Sequence, residues 1–267
     1  MARLQRTVAA AQWNPFMSKT IIVHSFHHGV GRSNLTANLS FLLAAEGRRV
    51  GLIDTDTHAP ASHWLFGIDE QKLRFSFNDY LLGKCEIEQT AHDITTSLGG
   101  ATKGSLFLVP AKLKVCETPR ILSDPQDVHL LNTGCQRLID RLDLDALFID
   151  TQPGLSDEAL VSITMSDTLV IILRLNPSDY HSTGVTVDVV RQLEVPRVML
   201  IVNEAPLTFD FTAVSAELEQ AYGCEVIAVI PHVDEMMALA NNDIFVRRYP
   251  DHLVTFALKQ AVTRLVS

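Results

Sequence analysis

Residues 20–34, TIIVHSFHHGVGRSN, limit what this chain can fold into more than any other stretch. Thr20 to Val23 is an apolar, β-branched run that reads as a buried strand. Gly29 and Gly31 follow in a short loop. Arg32-Ser33-Asn34 then opens a helix whose Leu35, Leu39, Leu42 and Leu43 fall on one face. A strand, a tight glycine loop and a helix N-terminus together make an anion site. The first-turn N–H groups have no intrahelical partners, and the helix dipole favours negative charge there.

The rest of the chain repeats the same alternation. The first helix runs from about Ser33 to Glu46, and Gly47 stops it, because glycine enters the left-handed conformation cheaply. Val50 to Asp54 is a second strand, which completes a βαβ unit with parallel strands. Further apolar runs at 106–109, 146–150, 168–173, 198–202 and 226–230 read as strands. Helical periodicity falls at about 127–142, 156–165, 181–194, 212–222 and 252–265, with short helices near 63–66 and 77–82. Continuous apolar strands between amphipathic helices predict an α/β fold: a mostly parallel twisted sheet of about seven strands, with helices on both faces. No linker or repeat divides it, so residues 20–267 form a single domain preceded by a leader, 1–19. Ligands of such sheets bind beyond the C-terminal strand ends, where Asp54, Asp150, Asn203 and Pro231 gather with the first loop.

Composition removes several functions. With 267 residues, 47% of them hydrophobic, the chain can bury one large core. A formal charge of −9 argues against general DNA binding. Cys85, Cys116, Cys135 and Cys224 show no CxxC or CxC pairing and read as reduced thiols of a cytoplasmic protein. No stretch reaches the ~18 apolar residues of a membrane span, and no signal peptide is visible. Residues 4–16 can form a short helix that lies on the core or contacts a membrane or partner; nothing in the sequence supports membrane contact. The amphipathic stretch 252–266 reads as a helix needed to cover the sheet.

Two chemistries compete for the loop. Gly29-x-Gly31-x-x-Asn34 approximates the dinucleotide pattern GxGxxG, with Asp54 about 20 residues on as a ribose-binding acid. That reading predicts an NAD-type oxidoreductase, and leaves Asp56 and Asp150 without a role. The P-loop pattern GxxxxGK[ST] matches residues 26–33 in spacing, with Gly31 and Ser33 in place. Phe26 stands for the first glycine and Arg32 for the lysine. Downstream, LFID at 147–150 is an apolar strand ending in aspartate, the arrangement that holds Mg²⁺ in such proteins. The P-loop reading accounts for more residues.

The chain resembles the MinD/ParA family of deviant Walker ATPases from residue 20 onwards. His27-His28-Gly29-Val30-Gly31-Arg32-Ser33 is similar to the family loop KGGVGK[ST]. Residues 34–56, 77–84, the Asp150-Thr151-Gln152-Pro153-Gly154 turn, 201–206 and 229–235 resemble family segments in the same order.

The resemblance implies an ATP- and Mg²⁺-dependent switch. It would form a homodimer on ATP binding, engage a protein partner, take part in spatial organisation and hydrolyse ATP slowly. It assigns His27 to Asn34, Gly154, Asn203 and Pro231 to the nucleotide, Ser33, Asp54 and Asp150 to the metal, and Asp56 and Arg32 to catalysis. Arg32 stands where the family lysine touches the phosphates, and its planar fork prefers other geometries than an ammonium. His27 stands where a family lysine reaches a partner's nucleotide, and His28 replaces a glycine. These departures predict that hydrolysis is weakened more than binding. They also motivate the rival expectation, a non-catalytic scaffold that keeps the fold.

Overall fold

The computed structural model describes residues 18–98, 100, 103–113, 125–239 and 242–267. Its sheet has eight strands in the order β3-β4-β2-β5-β1-β6-β7-β8. The strands are β1 (Lys19–His24), β2 (Arg49–Asp54), β3 (His92–Asp93), β4 (Ser105–Val109), β5 (Ala146–Asp150), β6 (Thr168–Leu173), β7 (Val198–Ala205) and β8 (Glu225–Pro231). All pair in parallel except β3, which lies antiparallel on the β4 edge. The seven strands read from the sequence are present. The eighth, β3, is two residues long, too short to leave an alternation pattern.

The helices are α1 (Arg32–Ala45), α2 (Ser62–Leu65), α3 (Phe77–Leu81), α4 (Pro125–Leu142), α5 (Asp157–Thr164), α6 (Pro177–Gln192), α7 (Phe211–Tyr222), α8 (Asp234–Ala238), α9 (Phe245–Arg248) and α10 (Leu253–Leu265). Two cores result, one on each face of the sheet. One gathers the buried side of α1 with α9 and α10; the other takes in α3 to α7. Helix α1 is buried almost all round, because the sheet and α10 enclose it. Its polar Thr36 and Ser40 accordingly hydrogen-bond to carbonyls of their own helix. Helix α10 sets Val254, Leu258, Ala261, Val262 and Leu265 into the first core and leaves Leu253 and Phe256 exposed. The N-terminal stretch 4–16 and Cys116 lie outside the described residues.

Register positions the site. Strand β5 lies between β1 and β2, with Asp150 opposite Val23 on one side and Asp54 on the other. The C-terminal ends of these three strands are therefore level, and two carboxylates emerge side by side beneath the loop between β1 and α1. Ile149, one residue earlier, is fully buried between Ile22 and Ile53. Ile149→Ala should cost about 2–5 kcal/mol of stability through lost burial and a residual cavity. The urea midpoint should fall with an unchanged slope; a midpoint like that of the wild type would show that this strand triplet does not anchor the site.

Candidate functional site

The loop between β1 and α1 is shaped by two left-handed glycines. Gly29 has φ +71° and a Cβ there would meet nothing, so its role is conformational. Gly31, at φ +84°, caps α1 and has a second constraint: a Cβ would lie 2.3 Å from Asn203 Nδ2. Asn203 comes from the end of β7, is buried, and donates to Val30 O at 2.9 Å. A side chain from a distant strand thus holds the loop at its tightest point.

Above the loop lies a cavity of about 370 Å³, within the range of small-molecule sites. His27, His28, Gly29, Gly31, Arg32, Ser33, Asn34, Asp56 and Asn203 line it; Val30, Asp54, Asp150, Gly154 and Pro231 do not. The remaining wall includes Ala59, Ala61, Glu204, Met236 and Met237. Sequence reasoning missed these. Glu204 directly follows Asn203 in a β-bulge at φ +54°, a backbone state no pattern announces. The two methionines sit on a five-residue helix too short to show periodicity.

Arg32 is the centre of the charge arrangement. Its side chain is buried and runs toward the strand ends. Nε donates to Asp150 Oδ1 at 2.6 Å and a terminal nitrogen donates to Asp56 Oδ2 at 2.9 Å. One planar fork thus spans two acids, one at the end of β5 and one in the loop after β2, a task a lysine with a single nitrogen performs less well. The Ser33 hydroxyl also bonds to Asp150. Burial raises the Asp150 carboxyl, with Arg32 and Ser33 opposing; its Oδ2 is buried and has no partner. The guanidinium pKa rises, the two carboxylates outweighing burial.

Asp54 has other partners. Its oxygens accept from Asp56 N at 3.0 Å, from the N–H groups of Ala61 and Ser62 at 3.2 Å each, and from Ser62 Oγ at 2.7 Å. Burial, together with neighbouring Asp150, pushes its carboxyl up to about 7. Asp54 therefore folds the following loop down onto the sheet. Asp56 Oδ1 caps the same loop through His58 N and Ala59 N.

The other expected ligand groups also have partners inside the chain. Gly154 turns its N–H to Ser25 O at 3.0 Å, which ties the β5 turn to the β1 loop. Gln152 donates to Ser156 Oγ and Glu158 Oε2. His27 Nε2 lies 3.1 Å from Ser178 Oγ and 3.8 Å from Asp179 Oδ1, at the start of α6. The backbone after Pro231 closes on β7 through His232 N to Ala205 O.

The donor set can be tested against the ions such loops hold. A cavity open to the glycine loop and the first turn of α1 suits a phosphate. Magnesium asks for near-octahedral oxygens at short range. Asp54 accepts from four donors, three of them on Oδ2; one Asp150 oxygen is taken by a guanidinium, and Asp150 Oδ2 and the Ser33 hydroxyl lie beside that pair. Among the described residues no group of three His, Cys, Asp or Glu side chains could hold a metal ion. The residues present fit a guanidinium better than a divalent cation.

His24, at the end of β1, completes the buried set. Its Nδ1 lies 2.8 Å from Thr151 Oγ1, whose hydroxyl also reaches Val23 O. Burial, and secondarily the nearby Arg32 charge, lower the ring to about 3.

Comparison with known proteins agrees with this geometry. A family model described as ParA, NUBPL iron-transfer P-loop NTPase, matches residues 17–266. An uncharacterised ATP-binding protein of Methanocaldococcus jannaschii is 22% identical over 253 residues, 94% of this chain and 88% of that protein. A cytosolic Fe–S cluster assembly factor of Phaeosphaeria nodorum is 31% identical over 160 residues, 56% of this chain and 50% of its own. Among solved structures, the MinC:MinD cell division complex of Aquifex aeolicus superposes with a TM-score of 0.75 at 19% identity. That match covers 93% of this chain and 95% of the other, and shows the shared fold.

The neutral His24 predicts an acid-side instability. Its ordinary value is 6.5 and its folded value about 3. Between these the unfolded chain binds the extra proton, so this group's contribution holds above 6.5 and is lost as pH falls toward 3. His24→Asn should remove about one proton from the pH dependence of unfolding in that window. Parallel stability–pH curves for wild type and variant would sink the assignment.

Proposed function

Because this chain belongs to the ParA family of P-loop NTPases, we propose that it binds an ATP-type nucleotide in the cavity above Gly29 and Gly31 and hydrolyses it slowly. One observation carries the reading. Gly29, Gly31 and the first turn of α1 line the cavity, while Arg32, the cation expected at the phosphates, is bonded to Asp150 and Asp56.

Phosphoryl transfer depends mainly on positive charge placed where the transition state spreads negative charge. Here that charge is committed to two carboxylates. Asp56, which would orient the attacking water, spends one oxygen on Arg32 and the other on its own loop. Binding needs only the N–H groups of the loop and the first turn of α1, so it survives what hydrolysis loses. The dinucleotide-oxidoreductase reading gives way to the family assignment.

Nucleotide state would control pairing with a second copy and contact with a protein partner. His27 is tied within its own chain by Ser178 and Asp179, so pairing would rest on other residues of the rim. The reading places the chain in the cytoplasm, in keeping with cysteines that are free among the described residues. No helix there is long and apolar enough to cross a membrane.

The family description and the relative's name favour a particular output: carriage of an iron–sulfur cluster, in preference to spatial positioning. Cys135 and Cys224 are poor ligands for a transferable cluster, since both are buried and burial pushes the Cys135 thiol up to about 12. Carriage would then fall to Cys85, which is half-buried, and Cys116. Anaerobic reconstitution with iron and sulfide should give cluster absorbance that Cys85→Ser with Cys116→Ser removes. A colourless reconstituted protein would rule out this output.

The nucleotide reading is checked directly. A fluorescent ATP analogue should bind the wild type, and Gly31→Ala should abolish binding, because the new Cβ meets Asn203 at 2.3 Å. Turnover should stay well below the ~1–100 per second of ordinary phosphoryl-transfer enzymes. A wild type that shows neither binding nor a nucleotide-induced thermal shift would favour the scaffold instead.

A further inference from the structure

Three carboxylates converge at and just past the ends of β2 and β5, and among the described residues Arg32 is the cation paired with them. Arg32 joins Asp150 and Asp56 at 2.6 and 2.9 Å, with side-chain exposures of 8%, 1% and 3%. The third, Asp54, is satisfied by N–H groups and by Ser62. A divalent ion at Asp150 would therefore sit against a guanidinium already using one of its oxygens. Two cations compete there for the same acids at short range, and like charges in a buried site repel strongly. The guanidinium also meets the geometric demand better. It reaches an acid at the end of β5 and one in the loop after β2 with two nitrogens, and it stays charged at any working pH.

We infer that Arg32 is the resident cation of this site and stands in the divalent ion's place, so that the chain holds its nucleotide without a metal. This rests on the nucleotide-binding reading. It also gives the arginine in the loop a reason: it neutralises a pair of buried acids from within. The protein alone has no divalent site until Arg32 is removed. Phosphates reach the loop amides while the acids beneath remain paired.

Two measurements decide it. The first needs no nucleotide: titration of the protein with manganese, read by electron paramagnetic resonance. Wild type should leave millimolar manganese free, whereas Arg32→Gln should bind it and gain thermal stability from it. If Arg32→Gln does not fold, Arg32→Lys keeps the charge but has a single nitrogen for the two acids, and should also acquire a manganese site. Manganese bound equally well by wild type would overturn the inference, as would a folded variant that gains no site. The second measurement is the affinity of wild type for fluorescent ADP with magnesium and with EDTA. The two values should agree within about fivefold, roughly 1 kcal/mol; a larger loss in EDTA overturns it. Absence of ADP binding in both buffers defeats the nucleotide reading, and the manganese titration then still decides the role of Arg32.

Discussion

A guanidinium buried beneath a glycine loop holds together the end of the sheet where the site lies. Arg32 spans Asp150 and Asp56, and so gives two buried acids a charge partner at once. Removing one partner of a buried ion pair leaves an uncompensated charge and typically costs about 3–5 kcal/mol. The fork also reaches beyond its two partners. Its charge helps keep the neighbouring His24 neutral, and its hold on Asp56 keeps the loop after β2 folded down.

That contact exists because of two backbone facts. Parallel pairing of β5 with β1 and β2 sets Asp54, Asp150 and the loop entrance at one level. Gly31, in a left-handed conformation, then starts α1 so that its first residue lies above those acids. Asn203 fixes the turn from the far side of β1. Arg32, Asp54 and Asp56 thus have internal partners, while Asp150 Oδ2 and Asn203 Oδ1 are buried without one. Arg32 and Asp56 line the cavity together with the glycine loop, and their charges are turned to one another and to Asp150.

Much of the fold is legible along the chain, for a physical reason. Apolar runs such as 146–150 and 168–173 can be buried only as central strands. The glycines that follow α1 and α7, Gly47 and Gly223, and the leucine spacing of α1 are local properties. The acids also announce themselves, because Asp54 and Asp150 each end an apolar run. What the pattern does not carry is direction. Arg32 was expected at a phosphate, Asp54 at a metal, Gly154 at a γ-phosphate and Asn203 at a base. In the structure Arg32, Gly154 and Asn203 each meet a group remote in sequence, whereas Asp54 is bonded to the loop that directly follows it. Glu204, Met236 and Met237 reach the cavity wall through a bulge and a short helix that leave no periodic trace.

The sequence by itself determined the α/β class, the phosphate loop and the set of charged residues around it, since strand burial, helix periodicity and glycine conformations are near-neighbour effects. Only the tertiary structure decided which of those charges meet. The distance from Arg32 to Asp150 depends on strand order and register, which join residues 118 positions apart. In a buried site, charges that meet at under 3 Å decide what else can enter.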